Sequence, residues 1–549
     1  MTDHHDRRSL SSTATYTAAT RLMVLCVTRQ FRAEDPDGDI RLPLGVLPAT
    51  NGEYVPDRPT RRDLDVAAAA LTHADEAARD AGMDRRRFLQ TAGGVAAVLA
   101  TIDLAACSSW SRPASSSTST SAASSTSKST TSRPGGSFTV PPPRDVEACE
   151  HALSGGGQFV VDVHTHHVMP DGPWTKNAPD TVGLVLGMVP ACGASNRLEC
   201  ASRAAYLHDL FLGSDTTVAM LSDVPNSGAA DAPVPFLDQL GTQQLAAQLT
   251  HGGAARVLVH NVIAPNFGDL HERLDEMEAT ATTGKVAAFK VYTAWGPNRQ
   301  GFALDDPAIG LPVIQKAHDL GVKVLIAHKG LPLVRFDAAH NRPDDMVAVS
   351  RQFPDMQFVV FHGAWDKNHV EGPYSPNAGI GIDTFLRALD NHAVPPNDNV
   401  WVDVGTVWRE VLRNPTTAAH TLGKLLKRVG EHRVLWGTDA IWYGSPQAQL
   451  QAFRAFTISN EFQQRFGYPA LTDAIKAQVL GLNAARLFHL DPHATHCALA
   501  TDPITAARTT AAHLRDEGVL PAAMRPNGPT TRREMLQWLA SPATRWTPL

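Results

Sequence analysis

The feature that most constrains this chain is a succession of eight short apolar runs that begins just after Gln158 and alternates with longer stretches of helical period. The runs are Phe159–Val163, Thr216–Leu221, Arg256–Val262, Val286–Tyr292, Val322–Ala327, Gln357–Phe361, Val400–Val404 and Val434–Trp436. Amphipathic stretches lie between them, among them Val234–Leu249, Leu270–Ala281, Ile309–Leu320 and Ala418–Val429. Gly321 and Gly430 follow the last two, where a helix usually stops. Strands that alternate with helices build a parallel sheet, and near-continuous β-branched and Leu-rich runs mark strands buried on both faces. Eight such units predict an α/β fold of the (β/α)8 TIM barrel type over 158–492. An open doubly wound sheet is the competing architecture, but no G-x-G-x-x-G follows the first run and no phosphate loop occurs. The segment exceeds the roughly 250 residues of a plain barrel, so some loops must be enlarged.

The N-terminal flank reads as addressing. Residues 1–82 are an extension, with Met83 a second candidate start. Within 83–107, Arg85-Arg86-Arg87-Phe88-Leu89-Gln90 precedes a small-residue apolar run and resembles the twin-arginine export signal. Asp84 and Asp103 depart from that pattern. Leu104-Ala105-Ala106-Cys107 resembles a bacterial lipobox, which makes Cys107 a candidate for lipidation. Residues 108–157 form a linker whose Ser/Thr/Ala-rich first part cannot bury enough apolar surface to offset its chain entropy. The expectation is an exported, membrane-anchored enzyme in which residues 1–145 are dispensable for catalysis; if the signal is unused, the protein stays cytoplasmic. At the other end, 493–549 reads as helices over Thr505–Glu517 and Thr531–Leu539 that dock back on the barrel.

Net charge and cysteine usage exclude some functions. A formal charge of -6 provides no basic field for nucleic acid. The expected partner is a small-molecule substrate, with membrane contact only through the signal or lipid anchor and with room for a homo-oligomer. The six cysteines include no C-x-x-C pair, which argues against a cysteine zinc site. Cys192 and Cys200 bracket a short polar loop and are either bridged or two free thiols.

In a barrel of this kind the chemistry sits where strands end. The first run ends Val161-Asp162-Val163-His164-Thr165-His166, with His164 and His166 two residues apart and able to reach one ion. The fourth ends Phe289-Lys290-Val291-Tyr292, and a lysine inside an apolar strand is costly unless paired or chemically altered. His328 ends the fifth run, His362 the sixth and Asp439 the eighth. A lone histidine is more often a satisfied structural one. An ordered set at successive strand ends reverses that judgement. Asp403, near the end of the seventh run, and His260, within the third, read as structural.

This order, H-x-H on strand one, Lys on four, His on five and six, and Asp on eight, resembles the amidohydrolase superfamily across essentially all of 158–490. The run around Lys290 is similar to the hydantoinase and phosphotriesterase branches, which implies a Lys290 carbamate, formed with carbon dioxide, bridging two divalent ions. Leu435-Trp436-Gly437-Thr438-Asp439, with Trp442 close behind, is more similar to the aminocarboxymuconate semialdehyde decarboxylase branch, where a single metal is frequent. The implied metal ligands are His164, His166, Lys290, His328, His362 and Asp439, with Asp439 and His362 catalytic.

Imidazoles and one carboxylate suit zinc first, with manganese or iron possible, as one or two ions. Such ions acidify bound water, and Asp439 would accept its proton. Trp365, Trp408, Arg409, Trp442 and Tyr443 follow strands six to eight and are candidates to line a substrate pocket, Arg409 by pairing with a carboxylate. The leading expectation is hydrolysis of an amide, lactone or ester. The alternative is a mononuclear-metal nonoxidative decarboxylase or hydratase. A tethered binding protein on the same scaffold is the third reading, and the complete ligand set argues against it.

Overall fold

The computed structural model describes residues 42–51, 54–107, 134–189, 194–250, 255–331, 336–499, 502–516 and 530–539. All eight predicted runs are strands: β1 (Val161–Thr165), β2 (Val218–Leu221), β3 (Val257–Ile263), β4 (Val286–Val291), β5 (Val324–His328), β6 (Gln357–Phe361), β7 (Val400–Asp403) and β8 (Val434–Leu435). They pair in parallel in sequence order. The two ends meet where Val163 N–H donates to Trp436 O at 3.0 Å and Asp439 N–H to His164 O at 2.8 Å. The chain is therefore a (β/α)8 barrel, with helices Phe236–Gln248, Leu270–Ala281, Gly310–Asp319 and Pro415–Arg428 where the apolar period places them. Gly321 and Gly430, just past the last two, take left-handed φ values of +75° and +105° that other residues resist.

The N-terminal flank differs from the expectation. Thr60 caps a helix over Arg61–Asp80 in a reciprocal capping box with Asp63. The signal-like stretch forms two helices, Arg85–Phe88 and Ala92–Cys107, and the second is buried along most of its length. It packs against the helices Pro415–Arg428 and Gln447–Ala455 that follow β7 and β8. Its glycines allow close approach to the rest of the flank: a Cβ on Gly93 would lie 2.7 Å from Pro143 O, and one on Gly94 2.6 Å from Leu89 Cα. Asp103 accepts from Phe138 N–H at 2.8 Å, in the strand Gly136–Phe138 that pairs antiparallel with Phe456–Ile458.

Leu44, Val46, Val66, Val95, Val98, Leu99 and Ile102 belong to the same core as the helix layer of the barrel. Burying each such side chain contributes about 1.5–3 kcal/mol. Seven such side chains together are comparable with the roughly 5–15 kcal/mol of net stability typical of a domain. The described residues of 42–107 thus pack into the core of the domain, where a free extension and signal were expected. Cys107 ends its helix as an exposed free thiol. Residues 108–133, the Ser/Thr-rich part of the linker, lie outside the described residues.

The C-terminal helices form over Pro503–Asp516 and Arg532–Leu539. Asp502 anchors the first through a buried ion pair with Arg256. Ahead of the second, Thr530–Thr531 pairs antiparallel with Ala49–Thr50. Cys200 is disulfide-bonded, whereas Cys192 lies outside the described residues. No helix among the described residues is long and apolar enough to cross a membrane.

Candidate metal centre

Strand alternation delivers the site. Ala288, Val324, Ile326 and Trp401 belong to the cluster inside the barrel, while Phe289, Leu325 and Val402 pack outward against the helices. The two-residue period therefore carries Lys290, His328 and Asp403 inward. In β1 the register shifts between Asp162 and Thr165. There the Asp162 carboxylate accepts from the N–H groups of His164 and Thr438 at 3.2 and 3.1 Å. Left-handed φ values occur at His362 (+64°), Thr406 (+59°) and Asp439 (+61°). Strain of this kind, on the order of 1–3 kcal/mol per residue, gathers where function requires an exact orientation.

Three imidazoles are oriented by their Nδ1 atoms. His166 Nδ1 donates to Ser222 O at 2.9 Å and His362 Nδ1 to Gly405 O at 2.9 Å. His164 Nδ1 lies 2.8 Å from Asp403 Oδ2, and Asp403 Oδ1 accepts from His362 N–H at 2.6 Å. Burial pushes His164 and His166 well below the usual imidazole range, and the nearby Lys290 adds to this. Burial, followed by His362, does the same to His328, and burial also lowers His362. The rings are thus neutral near pH 7. With Nδ1 committed, His164, His166 and His362 each present a lone pair at Nε2.

Asp439 Oδ1 lies 3.5 Å from His164 Nε2 and 3.4 Å from His166 Nε2. Lone pairs facing a carboxylate oxygen repel one another. A divalent cation among them turns repulsion into coordination, so the donor set fits such an ion. His164, His166 and Asp439 offer ligand atoms that all lie within 4.8 Å of one another. His164, His362 and Asp403 satisfy the same criterion. However, Asp403 approaches His164 from the Nδ1 side, which is the arrangement of a carboxylate that orients a ligating histidine. Burial pushes the Asp403 carboxyl up to about 8, and a cation on the Nε2 side of His164 would draw it back toward the ionised form. Gly405 and Gly437 make its place possible: a Cβ on either would lie 2.6 Å from Asp403 Oδ2.

The remaining predicted residues divide. The His328 ring centroid is 4.6 Å from that of His362, at the same end of the barrel. Lys290 is fully buried, with Nζ 4.7 Å from the Tyr292 ring centroid and 4.8 Å from that of Phe361. Trp442 stacks on His166 at 5.5 Å, and Phe361 stacks on His164 at 3.9 Å. Arg409 is buried, ion-paired with Glu410 through Nη1, and 5.2 Å from the Tyr443 ring, while its Nη2 has no hydrogen-bond partner among the described residues. Trp408 turns away into the helix layer, where Nε1 donates to Gln449 O at 3.0 Å and Phe453 and Phe456 surround it. Trp365 lies in the outer core, and His260 lies between Phe361 and Phe488.

Two site residues carry no signal in the sequence. Asn51 Nδ2 donates to Asp439 Oδ2 at 2.9 Å, and Thr406 Oγ1 donates to the same oxygen at 2.7 Å. Thr406 stands three positions past the end of β7, where the sequence marks only Asp403, read as structural. Asn51 is 388 residues from its partner, and no local pattern links the two.

The Amidohydrolase family model matches residues 161–490, and the chain belongs to that family. No curated protein matches it. Among solved structures it is similar to a probable 2-pyrone-4,6-dicarboxylic acid hydrolase of Acinetobacter baumannii (14% identity, 60% of this chain and 99% of that one, TM-score 0.37). It is also similar to a 2,6-dihydroxybenzoate decarboxylase of Rhizobium (16%, 61% and 99%, 0.37). A third is the 5-carboxyvanillate decarboxylase of Novosphingobium aromaticivorans, solved with manganese and 4-hydroxy-3-methoxy-5-nitrobenzoic acid (14%, 61% and 97%, 0.38). At this distance the likeness does not extend to substrate or reaction.

Proposed function

We propose that the protein is a single-metal enzyme that removes the carboxyl group of a small carboxylate substrate without oxidation. The observation that carries this reading is the state of Asp439. Its outer oxygen already accepts hydrogen bonds from Asn51 and Thr406, and its inner oxygen faces two imidazole lone pairs. A carboxylate so engaged suits a ligand better than a base that must take a proton from water, as hydrolysis requires.

His164, His166 and Asp439 would hold the cation, with His328 at the same end of the barrel as a fourth ligand. When bound, the cation polarises a substrate oxygen and stabilises the charge that develops there. Lys290 Nζ lies over two aromatic faces, whose negative potential would repel the anion of a carbamate. This placement supports one ion rather than a bridged pair. Arg409 Nη2, a buried donor beside Tyr443, receives the substrate carboxylate. As the C–C bond breaks, its electron pair stays on the substrate carbon, carbon dioxide leaves, and that carbon takes a solvent-derived proton that His362 Nε2, a lone pair in the resting site, has first accepted. The almost complete burial of these groups excludes water from the developing charge.

The test is a panel of small aromatic and unsaturated carboxylates, assayed in deuterated water with Mn2+- or Zn2+-loaded protein. The expected result is carbon dioxide release with one deuterium on the product carbon. Arg409→Met should raise KM about 10- to 100-fold, as expected for losing a charged hydrogen bond. Turnover of an ester, lactone or amide with no carbon dioxide released from any member of the panel would overturn the reading in favour of hydrolysis.

A further inference from the structure

Asn51 lies outside residues 161–490, the part of the chain that defines the family, yet it touches the carboxylate at the centre of the site. Asn51 and Thr50 are fully buried. Three features hold the segment there. Ala49–Thr50 pairs as a strand with Thr530–Thr531, so the two flanks of the chain clasp each other. The Tyr54 hydroxyl donates to Ala49 O at 3.1 Å, tying Tyr54 to the residue two before Asn51. Burial raises the Tyr54 hydroxyl well above its usual range, with Glu410 and Tyr443 adding to it, which places Tyr54 beside the Arg409 group.

We propose that this N-terminal segment is a wall of the active site and that Asn51 is a positioning residue for Asp439. This rests on the reading of Asp439 as a metal ligand. A carboxylate attached by one flexible bond can swing its oxygens. Two donors on Oδ2, Asn51 from one side of the chain and Thr406 from the other, fix the plane so that Oδ1 alone points at His164 and His166. An amide suits this role because its NH2 donates and carries no charge that would compete with the cation. Hydrogen-bond partners of metal ligands act in this way, by orienting them. The consequence is that the isolated barrel segment lacks part of its own site.

The experiment uses the full chain and Co2+, read by its visible spectrum and by competition with a chelator, with the melting point of the metal-free protein as a control. Asn51→Leu keeps the volume and removes the donor. It should weaken Co2+ binding at least about tenfold and alter the ligand-field bands, while the metal-free melting point stays within a degree or two. If the leucine perturbs folding, Asn51→Ala serves as the same test. Unchanged affinity and spectrum in a folded Asn51 variant would overturn the proposal. Asp439→Asn separates the two levels. If it abolishes Co2+ binding while the Asn51 variants bind normally, the positioning role alone fails; if it leaves binding intact, the metal-site reading fails and the proposal with it.

Discussion

His164 is held between two carboxylates, with Asp403 Oδ2 2.8 Å from its Nδ1 and Asp439 Oδ1 3.5 Å from its Nε2. The ring therefore has one side that is anchored and one that can ligate. Asp403 also accepts from His362 N–H, so one buried carboxylate sets the orientation of two site histidines.

Removing that anchor should release both rings. Asp403→Ala is expected to weaken divalent-cation affinity about 10- to 100-fold, the usual cost of losing a partner of a ligating histidine. Asp403→Asn, which can still accept from His164, should lose less. Competition titration against a chromophoric chelator measures both variants, and wild-type affinity in Asp403→Ala would show that the anchor is unimportant.

Asp103 gives a pH test of the packed N-terminal helix. Burial raises its carboxyl from 3.8 to about 6, opposed by the hydrogen bond from Phe138 N–H. The folded chain thus holds this proton more tightly than the unfolded chain does. The stability it contributes is fully present below about pH 4 and is lost as pH rises through about 6. Asp103→Asn keeps an acceptor for Phe138 and removes the titration. Its melting point should exceed that of the wild type by a few degrees at pH 7, and the difference should vanish or reverse near pH 4. Parallel melting curves across this range would show that the helix does not pack as described.

The barrel was legible because its strands are local and buried on both faces, so each reads as an unbroken apolar run. His164, His166, His328, His362 and Asp439 were legible for a related reason: each polar residue closes such a run at the same end. Asp403 was seen but read as merely structural, because its value lies in reaching across to His164 Nδ1. Gly405 and Gly437 matter through the Cβ atoms they lack, which single out no motif. Ala92–Cys107 is ambiguous in sequence for a physical reason. A basic cluster followed by small apolar residues is the composition of an export signal and also of a helix wedged tightly between neighbours. Asn51 was invisible because only tertiary folding brings it to Asp439.

The most direct test of the account is the number of divalent ions bound per chain, measured by elemental analysis on protein prepared with and without bicarbonate, beside Lys290→Ala prepared in the same way. The account predicts one ion per chain in all four preparations, lost in His166→Ala. Two ions per chain in the wild type, dependent on bicarbonate and reduced in Lys290→Ala, would contradict it and establish a carbamate-bridged pair instead.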